Sequence, residues 1–221
     1  MKFQSSKEME KIRKVQSFVK NMGEKSIESY IESSDWKDKK IALDVVKNNP
    51  TEEDKKYLSS ILTNSHVLDN RSPEQYALNV ALSWVIEDLI VSRLNSDKID
   101  VEFAGTDKNR TFDYFSSNSP DIYFKKKNKY FEIITNYYYG FKSSKTIALR
   151  DNKYENLIMF NSGILLYDFS TNFFYIVDNV SKEKPISEET NKYFGKKVIT
   201  IKIDSAPLTY NMLVKKLSVF S

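Results

Sequence analysis

The apolar residues of this chain change their period near residue 99, and this change constrains the fold more than any other feature. Upstream they recur every three or four positions. Met9, Ile12, Val15, Phe18, Val19 and Met22 place a helix over Lys7 to Glu32, and Trp36 to Lys47 makes a shorter one. Thr51 is a natural N-cap with Glu52, Glu53 and Asp54 behind it, and Leu58, Ile61 and Leu62 form the apolar face of that helix. Ser72-Pro73-Glu74-Gln75 is a stronger start, with Ser72 as N-cap, Pro73 at the first turn and Gln75 placed to close a capping box. That helix runs to about Leu94, with Val80, Trp84, Val91 and Leu94 on one stripe. Glu87 interrupts the stripe, either at its edge, reaching water, or pointing into a site. From Ile99 onward the period is that of strands: Ile99 to Ala104, Asp121 to Phe124, Tyr130 to Thr135, Gly163 to Phe169, Phe173 to Val177 and Lys197 to Ile203. A helix near Leu149 to Phe160 lies among them, and one over Tyr210 to Leu217 closes the chain. The pattern predicts a mixed α/β (α+β) fold with a helical N-terminal region over residues 1–70 and a helix-flanked sheet domain over 71–221.

Composition narrows the chemistry. There is no cysteine, which excludes disulfides and thiolate metal sites and suits a reducing cytoplasm. His66 is the only histidine, so a catalytic triad or a multi-histidine zinc site lacks material. Any metal centre must use oxygen ligands, which favours Mg²⁺, Mn²⁺ or Ca²⁺. The stretch from Met1 to Glu10 has no apolar signal core, and no run is long enough for a membrane span. A net charge of +4 is compatible with a polyanion without establishing one.

Two carboxylates stand out. Asp121 follows Pro120 at the start of one strand, and Glu132 lies in the next, after a turn around Lys126-Lys127-Asn128. A turn centred on Lys127 and Asn128 sets Asp121 near Ile134 and Glu132 near Tyr123, with the two carboxylates diagonal at about 5–8 Å. Acids that close repel unless a cation lies between them, and a divalent ion meets that need while activating water for phosphodiester hydrolysis. The polar run Asp107-Lys108-Asn109-Arg110 and the lysines at 125–127 and 129 are possible phosphate contacts, or simply solvated surface.

Pro120-Asp121, ten intervening residues and Glu132 in an apolar strand resemble the PD-(D/E)XK nuclease motif, and the surroundings are similar to type II restriction endonucleases. The resemblance covers residues 72 to 168. It implies a restriction-endonuclease-like central mixed sheet, Asp121 and Glu132 as ligands of Mg²⁺ (with Mn²⁺ able to substitute), and a further acid from the upstream helix at Glu87. It also implies a homodimer acting on double-stranded DNA in a bacterial cytoplasm. The motif asks for lysine two places after the second acid, where this chain has Ile134; a lysine from another element must then serve, and Lys153 is preferred to Lys142 and Lys145. Arg150 and Tyr154, four apart, resemble the Gln-x-x-x-Tyr element of some nuclease branches. Lys108, Arg110, Lys126, Lys142, Lys145 and Arg150 are the expected DNA contacts. A repair, recombination or transposition nuclease, and a binding module without catalysis, are the competing functions.

Overall fold

The computed structural model describes residues 10, 11, 13–15, 17, 18, 73–105, 119–137, 141–191 and 196–219. The helices expected over Trp36 to Lys47 and after Thr51, together with His66, Lys108 and Arg110, lie outside the described residues, as do the side chains of Val80 and Trp84. The chain divides into two compact units, Met1–Ile90 and Val91–Ser221.

In the first unit the described residues are helical. Helix α1 (Pro73–Ser96) begins at the proline after Ser72 and continues into the second unit. The expected single apolar stripe is not what forms: every residue from 85 to 91 is buried, including Glu87 and Asp88. A helix surrounded on all sides gives its buried residues no 3.6-residue rhythm.

The second unit is a mixed five-stranded sheet with helices and a small antiparallel sheet. The helix α1 ends where Lys98 takes a left-handed conformation (φ 64) and the Ile99 N–H donates to the Leu94 carbonyl at 2.9 Å. Strand β1 is only Glu102–Phe103, shorter than the Ile99 to Ala104 pattern suggested. Strand β2 (Ile122–Phe124) passes through a 3₁₀ turn at Lys125–Lys127 into β3 (Lys129–Asn136). A one-turn helix α2 (Phe141–Ser144), strand β4 (Thr146–Arg150) and helix α3 (Asp151–Met159) lead to β5 (Gly163–Asp168) and β6 (Phe173–Val177). Strands β7 (Pro185–Asn191) and β8 (Lys196–Lys202) and helix α4 (Tyr210–Leu217) complete it.

The large sheet has the order β1-β2-β3-β5-β6, and the small one β4-β8-β7. Only β3 and β5 are parallel. On one face, Ile164, Leu166, Tyr175 and Val177 of the large sheet form a single core with Ile147, Leu149, Ile199 and Ile201 of the small sheet and with Tyr154 and Leu157 of α3. Glu132 and Ile134 alternate onto that same face. The opposite face buries Phe124 against Phe131, edge to face at 5.5 Å. Gly163 opposes Phe131 across β3 and β5, and a Cβ there would stand 2.3 Å from the Phe131 ring and 2.5 Å from the Val177 carbonyl oxygen.

Two expectations are corrected here. The hairpin register is shifted: Ile122 pairs Phe131, Tyr123 pairs Tyr130 and Phe124 pairs Lys129. The turn centres on Lys126 and Lys127, because Asn128 takes the left-handed conformation (φ 48) and closes the chain onto the Lys125 carbonyl. Leu149 and Arg150 belong to β4, not to the helix, since Ile147 and Leu149 alternate inward against β8. Arg150 is therefore an exposed strand end, and it shares no helical face with the buried Tyr154.

Candidate active site

The corrected register brings the two acids closer than the diagonal arrangement. Extending the pairing of Ile122 with Phe131 by one step sets Asp121 directly across from Glu132. The chain at Asp121 is fixed twice. Its carbonyl accepts from the Ala104 N–H at 2.9 Å, and its side-chain Oδ2 accepts from the Ile133 N–H at 2.8 Å. A strand neighbour would otherwise satisfy that N–H; here the carboxylate does so, just before β2 begins. The Asp121 and Glu132 carboxyl groups lie within hydrogen-bonding reach of each other.

Helix α3 supplies the cation. Lys153 forms an ion pair with Glu132 of β3, while Phe160, seven residues on, rests edge to face on Tyr130 at 5.5 Å. Leu157, on the same side of the helix, is 1% exposed and anchors it to the sheet. The Lys153 side chain is 38% exposed and that of Glu132 only 6%. The lysine thus reaches in from the rim, and the glutamate sits in the floor.

Burial pushes the Glu132 carboxyl well above its ordinary value of 4.5, and the neighbouring Asp121 pushes it the same way; Lys153 opposes both. With both acids ionised, a single ammonium leaves a surplus of negative charge in a poorly solvated place. Among the described residues no group of three or more acids or histidines is placed to hold a metal ion. A two-carboxylate donor set fits a hard ion such as Mg²⁺, which keeps several waters and takes its remaining ligands from a phosphate.

The structure thus groups Asp121, Glu132 and Lys153, with Ile134 on the same face but packed against the core. Lys142 is exposed on α2, and Lys145 follows it in a left-handed conformation with its carbonyl accepting from Ile203. Among the described residues neither pairs with Asp121 or Glu132. Lys126 is exposed at the hairpin turn. Glu87 is buried in α1 within the first unit.

Two buried acids, Asp88 of α1 and Asp168, were not singled out from the sequence. Asp168, fully buried at the end of β5, accepts from Asn136 Nδ2 (2.9 Å), the Ser170 N–H (3.1 Å), the Ser170 hydroxyl (2.9 Å) and the Thr171 hydroxyl (2.7 Å). Its oxygens are committed to the β5–β6 turn and to Asn136 at the end of β3. The Asp-x-Ser-Thr pattern after an apolar strand is the sequence signal for such a turn. Compared with protein-family models, with curated proteins and with solved structures, the chain matches none.

Proposed function

We propose that this chain is a divalent-metal-dependent endonuclease, and within that class a type II restriction endonuclease acting as a homodimer on double-stranded DNA. The observation that carries the reading is the meeting of Asp121, Glu132 and Lys153 at the end of a sheet hairpin. In this reading Asp121 and Glu132 hold Mg²⁺. When bound, the ion supplies an acidified water and positive charge beside the phosphate.

The chain's own groups do the rest. The Ile133 N–H fixes one oxygen of Asp121, so the carboxylate is oriented before any ligand arrives. Lys153 leaves its pair with Glu132 for the phosphate, whose negative charge grows during the reaction, and stabilises it there. Its position on the rim lets it move between these partners by rotating about its side-chain bonds. Ile134 occupies the face where a motif lysine would stand, so Lys153 takes that duty from α3. Arg150, Lys142 and Lys145, on elements bordering the hairpin in sequence, are the proposed DNA contacts of this domain. A repair, recombination or transposition nuclease would use the same chemistry.

Supercoiled plasmid incubated with the full chain and Mg²⁺ tests this. Discrete fragments are expected. Cutting confined to ends, flaps or junctions would move the assignment to a repair-type nuclease. Binding in Ca²⁺ with no cutting in Mg²⁺ or Mn²⁺ would refute the enzyme and leave a binding module.

A further inference from the structure

The β2–β3 hairpin continues beyond the carboxylates to a turn of three consecutive lysines, Lys125–Lys127. An ordinary solvated turn needs no bracing, but this one is tied on both sides. Lys125 pairs with Glu102 of β1 at 2.7 Å, and Lys129 donates from Nζ to the Asn161 carbonyl after α3. Between them Tyr123 and Tyr130 lie ring against ring at 4.6 Å, and Tyr130 leans on Phe160. The Tyr123 hydroxyl reaches Asn128 Oδ1 at 3.1 Å and locks the turn itself. Two of the tip's cations are thereby spent on holding the hairpin in place. Lys126 and Lys127 are exposed, and among the described residues neither has an acidic partner.

We infer that this braced hairpin is a positioning arm for the sugar–phosphate backbone of DNA, with Lys126 and Lys127 contacting phosphates away from the scissile one. The inference rests on the nuclease reading of Asp121 and Glu132. Tyr123 and Tyr130 share the sheet face of the carboxylates, so the same pair of strands carries both the arm and the acids. Three steps along the strand separate Glu132 from Lys129, about 10 Å at roughly 3.4 Å per residue. Phosphates of one strand advance about 3.4 Å along the duplex axis, so a tip beyond that distance meets the backbone some three or more nucleotides from the cut. Such contacts set register and affinity but not the chemistry.

The test is a Lys126→Ala/Lys127→Ala double variant of the full chain, measured against wild type and a Lys202→Ala control, whose lysine pairs with Asp204. Binding of a duplex is followed in Ca²⁺ across salt concentrations, and cleavage in Mg²⁺ at saturating DNA. The double variant is expected to bind about tenfold or more weakly near 0.1 M salt. Its plot of log affinity against log salt should be shallower by about 1.8, two phosphate contacts at roughly 0.9 each. Its saturated cleavage rate should stay within about twofold of wild type. An unchanged slope in a chain that still cuts would overturn the arm and leave the nuclease standing. A slope change in a chain that never cuts would overturn the nuclease, and with it the arm as defined here, and leave Lys126 and Lys127 as phosphate contacts of a binding module. A fall in saturated rate with unchanged affinity would also overturn the arm, because the lysines would then act on the chemistry.

Discussion

Replacing Glu132 by glutamine separates the site's electrostatics from its chemistry. The exchange keeps shape and volume, so it opens no cavity. It removes a charge whose side chain is 6% exposed and which faces a second carboxylate across the hairpin. The partner that compensates, Lys153, is 38% exposed and can turn to water, so no buried cation is stranded. The folded protein holds the Glu132 proton more tightly than the unfolded chain does, because burial and Asp121 raise its pKa. Glu132 therefore contributes its full share to stability below its ordinary value of 4.5, and that share is lost as pH rises through the higher folded value. The variant escapes this loss. A single stabilising substitution commonly gains roughly 0.5–2 kcal/mol, so a gain of about 1 kcal/mol is expected. For a chain of this size that is about 2–4 °C in Tm. Thermal unfolding in EDTA should show Glu132→Gln matching wild type near pH 4 and exceeding it by that margin at pH 8, while metal-dependent cleavage disappears. A variant less stable than wild type at pH 8, or a gain largest in acid, would refute the electrostatic account of the site.

Other outcomes follow from the same geometry. Lys153→Ala should lower the saturated cleavage rate about 10²–10³-fold, with duplex binding in Ca²⁺ nearly unchanged, whereas Lys142→Ala and Lys145→Ala should keep most of the rate; single-turnover cleavage checks this. Gly163→Ala should cost at least the roughly 1–3 kcal/mol of an overpacked core, because its Cβ would meet both a fully buried ring and a backbone carbonyl. Urea unfolding measures that loss.

The parts of this architecture with strong local signals were legible in the sequence. Tyr210–Leu217 is amphipathic and capped by Thr209, and the strand Gly163–Asp168 is a continuous apolar run up to its final acid. The mixed sheet followed from such runs. The hairpin register did not, because it turns on one residue: Asn128 adopts a left-handed conformation that a run of lysines does not announce. Strand β7 was invisible, since Pro185-Ile186-Ser187-Glu188-Glu189-Thr190 lies exposed at a sheet edge and carries no alternating apolar side. Missing it hid the second sheet, and with it the reason Leu149 and Arg150 are strand rather than helix. Asp121, Glu132 and Lys153 were grouped by chemical need. Their contact depends on α3 meeting β3 through Lys153 and Phe160, a tertiary fact with no local spelling.

The central claim is that Asp121 and Glu132 together hold a divalent ion, and Mn²⁺ titration of the full chain followed by electron paramagnetic resonance tests it most directly. The free-ion signal should fall as wild type takes up Mn²⁺, with Mg²⁺ competing for the same site. Asp121→Asn and Glu132→Gln should each abolish the uptake without unfolding the protein. Equal uptake by wild type and both variants, or none by wild type with duplex DNA present, would contradict the account.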